Sequence, residues 1–210
     1  MPPKLTVLPR SFFDRDPRIV ARELLGNLLL RRQGRTRIAG RIVEAEAYLG
    51  LTDPGSHAFR GRTTRNEVLF GPPGHAYVYF IYGNHYCTNV SCQPEGTPGC
   101  VLLRALEPVS GLQKMAACRG LTLPAAPTAR QLAQLTSGPG RLSQALGITR
   151  PRDNGCDLCS PKGALTIAED DFPTPEVVAS PRVNVTHAPH DLWRFSIRGN
   201  LFVSAPRPKR

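Results

Sequence analysis

Residues 41–49 read RIVEAEAYL. At the two-residue period of a β-strand the run has two different faces, with Val43, Ala45, Ala47 and Leu49 on one and Ile42, Glu44, Glu46 and Tyr48 on the other. Side chains two apart on a strand stand roughly 7 Å from each other, so two carboxylates and a phenol ring line up side by side. A lone Glu-x-Glu more often decorates a solvated strand face, and the flanking sequence has to decide between a surface and a site. Upstream, Asp16-Pro17 has the form of an N-cap and first helical residue, followed by Ile19, Val20, Leu24 and Leu25 at helical spacing, with Gly26 interrupting but not ending the pattern. Residues 28–30 either end that helix or begin a strand. Residues 31–40 form a basic turn region that feeds the 41–49 strand and predicts a first hairpin.

Downstream, residues 51–65 have no period and carry His57, Arg60, Arg62, Thr63 and Arg65, which predicts a basic loop. After the break at Gly71-Pro72-Pro73-Gly74, residues 76–82 and 85–92 are strands joined by a two-residue Gly83-Asn84 turn, a register that pairs Tyr82 with His85 and Tyr79 with Thr88. All five tyrosines lie between Tyr48 and Tyr86, four of them on this hairpin. Residues 100–106, CVLLRAL, are a buried strand with one charge, Arg104, which needs a partner. Residues 111–136 begin as helix and pass into a Pro/Ala-rich loop. Residues 137–141, SGPGR, open another helix, a start that is either simply capped or able to hold phosphate beside Arg141. Short strands are predicted at 182–185 and 193–197, and there are no internal repeats. The expected class is α+β: a single domain over 1–210 with short flexible termini (about 1–10 and 204–210), built on a curved antiparallel β-sheet surrounded by helices, with a protruding hairpin.

Lys+Arg 27 against Asp+Glu 16 gives a net charge of +11, which favours a polyanionic partner such as nucleic acid. Lys4, Lys114, Lys162 and Lys209 are the only lysines, and arginine is the better bidentate phosphate ligand. No signal-peptide core and no run of roughly 20 apolar residues is present, so a cytoplasmic protein without export or membrane signal is expected, nucleoid-associated if bacterial. The six cysteines then read as reduced thiols. Cys156 and Cys159 with His187 and His190 offer four donors for zinc, but not at the spacing of a common zinc module.

A carboxylate strand, a tyrosine-rich hairpin and a basic loop together suit an enzyme that extrudes a base from a duplex and does chemistry at its sugar. Five blocks carry a more specific likeness: RIVEAEAYLG, HAFRGRTTRN, YVYFIYGNHYCTNVS, CVLLRALEP and SGPGRLSQALGI. In this order, from about Phe12 to about Val203, the chain resembles the alkyladenine (3-methyladenine) DNA glycosylase family. The resemblance implies that Glu46 is the general base, that Arg104 and the backbone carbonyl of Val183 hold the nucleophilic water, and that Tyr48, His57 and Tyr79 wall the base pocket. It further implies that Asn89 limits which purines fit and that Tyr82 enters the duplex in place of the flipped nucleotide. Glu44 matches no catalytic residue and is expected to be structural. Arg60, Arg62, Thr63, Arg65 and Arg141 are expected on the DNA backbone. The implied activity is monofunctional hydrolysis of the N-glycosidic bond of alkylated or deaminated purines (3-methyladenine, 7-methylguanine, hypoxanthine, ethenoadenine) in double-stranded DNA, by a monomer without metal or organic cofactor. A non-catalytic nucleic-acid-binding module and a metal-dependent nuclease are the alternatives.

Overall fold

The computed structural model describes residues 5–34, 36–81, 83, 85–187 and 190–206. The 41–49 run lies in the hub strand, β3 (Thr36–Tyr48); before it come β1 (Thr6–Val7), helices α1 (Arg10–Phe13) and α2 (Pro17–Glu23), and β2 (Leu28–Gln33). After it come β4 (Ala76–Ile81), β5 (His85–Ser91), β6 (Cys100–Ser110), α3 (Leu112–Cys118), α4 (Ala129–Thr136), α5 (Pro139–Ala145), α6 (Arg150–Asp153), β7 (Leu165–Glu169), β8 (Val177–Ser180) and β9 (Arg194–Ile197). All strand pairings among the described residues are antiparallel, in the order β1-β7-β2-β3-β6-β5-β4. β6 follows one edge of β3, while β2 and then β9 share the other, so the sheet curls around β3. The fold is thus α+β, as the sequence predicts. The helices supply Val20, Ala21, Met115, Leu135 and Leu142 to a core that meets Leu29, Ile42, Leu103 and Leu106 of the sheet.

Several local expectations give way to packing. The pairing of β3 with β6 is irregular between Ile42 and Ala45, where Ile42 faces Leu106, Glu44 faces Ala105 and Ala45 faces Leu103. A bulge of this kind re-aims side chains. Ile42 therefore joins Ala45 and Ala47 in the main core, and Val43 packs with Ala105 and Phe202, so the simple two-face reading holds only from Ala45 onward. On the 76–92 hairpin, Val78, not Tyr79, faces Thr88; Tyr79 faces Cys87, and Ile81 faces His85. Residues directly opposite one another must share a face. Ala76, Val78, Thr88 and Val90 are buried, the Thr88 hydroxyl bonding Ser143 of α5, which leaves Tyr77 and Tyr79 to share the other face with Asn89 and Cys87.

Helix α2 has the expected Asp16 cap, whose Oδ1 accepts from the Arg18 amide, but it ends at Glu23, since Gly26 sits at φ +95° where a helix cannot continue. Ile19 is 48% exposed and takes no part in the core. Residues 28–30 begin a strand. The 182–185 stretch is not one: Pro181 lacks a ladder donor, Asn184 turns the chain at φ 59°, and the strand lies earlier, in β8. The ends are also tied in more than expected, with Thr6 and Val7 paired to β7 and the buried Ser204 amide donating to Glu44 Oε2 at 2.6 Å.

Candidate active site

The bulge and the hairpin together build a cleft. Three carboxylates, Glu44, Glu46 and Asp53, are 0% exposed. Such groups are stable in a protein interior only when paired and hydrogen-bonded. Glu44 Oε1 accepts from Arg104 Nε at 2.8 Å, Arg194 Nε at 2.7 Å and Ser204 Oγ at 3.0 Å, while Oε2 takes the Ser204 amide. Four donors thus hold it, three of them on Oε1. Glu46 is held by fewer groups among the described residues: Oε1 meets the Val183 amide at 2.8 Å and Arg104 Nη1 at 3.3 Å, and Oε2 meets the Tyr48 hydroxyl at 2.9 Å. Burial pulls the Arg104 pKa down, but the charges of Glu46 and Glu44 outweigh it and raise it. Burial, then the charge of Glu46, lifts Tyr48 well above the usual phenol value, so Tyr48 stays a donor.

Glu46, Tyr48, Tyr79, Arg104, Arg141 and Val183 line a cleft of about 530 Å³. Tyr48 and Tyr79 also border a smaller cavity of about 70 Å³ lined by His57, Tyr77, Asn89 and Cys100. The His57 and Tyr79 rings lie edge to face, with centroids 4.5 Å apart, and Tyr77 is 5.4 Å from Tyr79. His57 Nδ1 is 2.9 Å from the Tyr77 hydroxyl. His57 is exposed as a residue, yet burial of its ring against these tyrosines, with Arg65 nearby, lowers its pKa from the usual 6.5, so the imidazole is neutral at pH 7. Burial pushes Tyr77 up to about 12 and Tyr79 beyond the range of any physiological titration. At the cavity wall Asn89 is buried, its Nδ2 donating to the Tyr77 carbonyl at 3.1 Å.

The sequence-predicted residues therefore converge: Glu46, Arg104, Val183, Tyr48, His57, Tyr79 and Asn89 meet at the two cavities. Val183 also donates its backbone amide to Glu46, a contact beyond the water-holding carbonyl that the resemblance implies. Arg60, Arg62, Thr63 and Arg65 are exposed on the loop beside the site, and Arg141 is exposed at the cleft rim. Tyr82, the proposed wedge, lies outside the described residues. Among the described residues, no group of three or more His, Cys, Asp or Glu stands close enough to hold a metal ion, the Cys156, Cys159, His187 and His190 set included.

Sequence reading missed Asn66, Asp53, Arg182, Arg194 and Ser204. Asn66 ties the basic loop together, donating to the His57 and Gly61 carbonyls and accepting from the Thr63 amide. Arg182 and Asp53 form a buried fork beside Tyr48. The only available signal was position, Arg182 preceding Val183 and Asp53 lying between Tyr48 and His57.

Comparison with known proteins agrees with this geometry. A family model described as methylpurine-DNA glycosylase matches residues 11–201. A protein of Koribacter versatilis is 55% identical over 204 residues, covering 97% of this chain and 96% of its own. Proteins of Rhodopseudomonas palustris (46% identical, 97% and 90% covered) and Methanocella arvoryzae (44%, 97% and 98%) are similar too. All three carry names that assign them provisionally as 3-methyladenine DNA glycosylases. No helix among the described residues is long and apolar enough to cross a membrane. A buried carboxylate beneath an aromatic, arginine-rimmed cleft is thus joined by near full-length sequence similarity, and the chain belongs to the methylpurine-DNA glycosylase family, DNA-repair hydrolases of base excision.

Proposed function

We propose that the protein is a monofunctional, monomeric glycosylase that flips alkylated or deaminated purines, of the 3-methyladenine, 7-methylguanine, hypoxanthine and ethenoadenine type, out of duplex DNA and hydrolyses their N-glycosidic bond with a water activated by Glu46. The carrying observation is the contrast between the two glutamates: Glu44 is tied to two arginines and Ser204 and does not line the cleft, while Glu46, held by the Tyr48 hydroxyl, the Val183 amide and a longer contact to Arg104, does. As the bond breaks, its electron pair leaves with the base and positive charge grows on the sugar. Glu46 stabilises that charge and takes a proton from the water that bonds to C1′, and Arg104 positions the carboxylate. The base sits where the two cavities meet, between Tyr48 and Tyr79, with His57 at its edge. A cationic alkylpurine gains about 1–2 kcal/mol from such faces when desolvated, and the neutral His57 adds no repulsion. Tyr82 fills the gap in the duplex, and the exposed arginines hold phosphate. Lyase chemistry needs an amine nucleophile, and neither Lys114 nor Lys162 borders the cleft or the small cavity.

The test is release of free base from a panel of lesion duplexes, with and without EDTA. The expected result is release of damaged purines that is indifferent to EDTA and leaves an unbroken abasic strand. A nuclease would lose activity in EDTA, and a binding module would release no base. Two further outcomes are expected. The logarithm of affinity for undamaged duplex falls linearly with the logarithm of salt, and replacing Arg60, Arg62 and Arg65 by Ala reduces that slope by about 3, near 0.9 per lost phosphate contact; fluorescence anisotropy across a salt series checks it, and a flat response would remove this surface from the DNA interface. Asn89→Ser opens the wall of the small cavity to an exocyclic amino group and raises guanine release relative to hypoxanthine by roughly tenfold, since one steric exclusion is worth about 1–3 kcal/mol. An unchanged guanine-to-hypoxanthine ratio would take Asn89 out of substrate selection.

A further inference from the structure

Arg182 and Asp53 are the most fully buried fork in the site, with Nη1 to Oδ2 at 2.6 Å, Nη2 to Oδ1 at 2.8 Å and side-chain exposures of 2% and 0%. The pair joins three separate pieces of the pocket. Asp53 accepts the Leu49 and Gly55 amides, fixing the loop that leads from Tyr48 to His57. Arg182 donates to the Ala47 carbonyl of β3, and its neighbour Val183 donates to Glu46. Gly55 is closed in on this assembly, for a Cβ there would lie 2.8 Å from Val185 and 3.0 Å from Arg182.

The guanidinium also lies between two rings, 4.6 Å from the centroid of Tyr48 and 4.8 Å from that of Trp193. Tyr48 borders both cavities and Arg182 borders neither, so the cation covers the face of Tyr48 turned away from the base. An unpaired positive charge there would oppose a cationic base stacked on the front face. Asp53 removes that conflict. Within the site, three buried carboxylates (Glu44, Glu46, Asp53) are matched by three buried arginines (Arg104, Arg194, Arg182), so its buried charges balance and the excess positive charge, Arg141 included, is solvent-exposed.

We propose that the Asp53–Arg182 pair is a positioning and specificity element of the base pocket: the fork locks Tyr48 in place, and its charge neutrality lets that ring accept cationic alkylpurines as well as neutral purines. This rests on the glycosylase reading above and adds to it a residue pair that sets the balance between the two substrate classes.

The experiment compares single-turnover base release from duplexes carrying 7-methylguanine, a cation, and hypoxanthine, a neutral base, and reads the ratio of the two. Asp53→Asn leaves Arg182 uncompensated and should lower the cationic-to-neutral ratio by about tenfold, the size expected for a unit charge acting across one ring in a partly screened site. Arg182→Met leaves Asp53 uncompensated and should shift the ratio the other way. The double variant is neutral again and should restore the parent ratio while slowing both reactions, because the lock on Tyr48 is gone. A ratio that stays constant in whichever single variant folds would make the pair merely structural and overturn the proposal. If neither single variant folds, the double variant decides, and a changed ratio there overturns it. Parent protein that releases neither base would overturn the glycosylase reading instead.

Discussion

Glu44→Gln is expected to lower the melting temperature by roughly 6–20 °C. Two buried arginines, Arg104 and Arg194, converge on one oxygen of Glu44, and the Ser204 hydroxyl and amide complete its shell. Removing one partner from a buried ion pair costs about 3–5 kcal/mol, because the opposite charges remain desolvated without compensation. In a chain of this length 1 kcal/mol is worth about 2–4 °C. The loss also unpins the 200–204 segment from the sheet, since Arg194 Nη2 donates to the Ser204 carbonyl at 3.0 Å. Thermal unfolding followed by circular dichroism checks this, and an unchanged melting temperature would show that Glu44 is not the structural centre of the site.

Glu46→Gln, two residues along the same strand, is expected to act on chemistry instead. It loses base excision by about two to four orders of magnitude, the usual contribution of a positioned general base, and still binds lesion duplex within a few fold of the parent. Glutamine keeps the shape, with its Oε1 accepting from the Val183 amide and its Nε2 donating to the Tyr48 hydroxyl, which then serves as acceptor, but it cannot take the proton from water or stabilise charge on the sugar. The same burial that makes Glu46 useful limits the damage to the fold, because Arg104 keeps its shorter contact with Glu44 when the 3.3 Å contact to Glu46 is weakened. Anisotropy with a hypoxanthine duplex measures the retained binding, and a loss of binding equal to the loss of excision would assign Glu46 to recognition.

Much of this site is legible in residues 41–49 because strand period and residue chemistry point the same way: Glu46 and Tyr48 do stand together on one face, and Arg104 does require, and find, carboxylate partners. The helix cap at Asp16 was equally local. What sequence could not supply is register. The bulge near Val43 depends on how β3 and β6 pack around Arg104, and the placement of Tyr79 opposite Cys87 depends on the burial of Val78 and of Thr88, the latter against α5. Both are decided by partners distant in the chain. The same holds for Arg182 and Asp53, separated by 129 residues, whose meaning lies wholly in their pairing. The hairpin tip is of another kind: Tyr82 is read from the resemblance and from its place between β4 and β5, and Tyr82 and Asn84 lie outside the described residues.

The most direct measurement of the central claim is the single-turnover rate constant for hypoxanthine release, taken with parent and Glu46→Gln protein in excess over a duplex that both hold to the same extent. The expected result is equal occupancy with a rate at least about a hundredfold lower in the variant. Release by Glu46→Gln within a few fold of the parent at equal occupancy would contradict it, and would mean that the buried carboxylate beneath the cleft is not the base that drives the reaction.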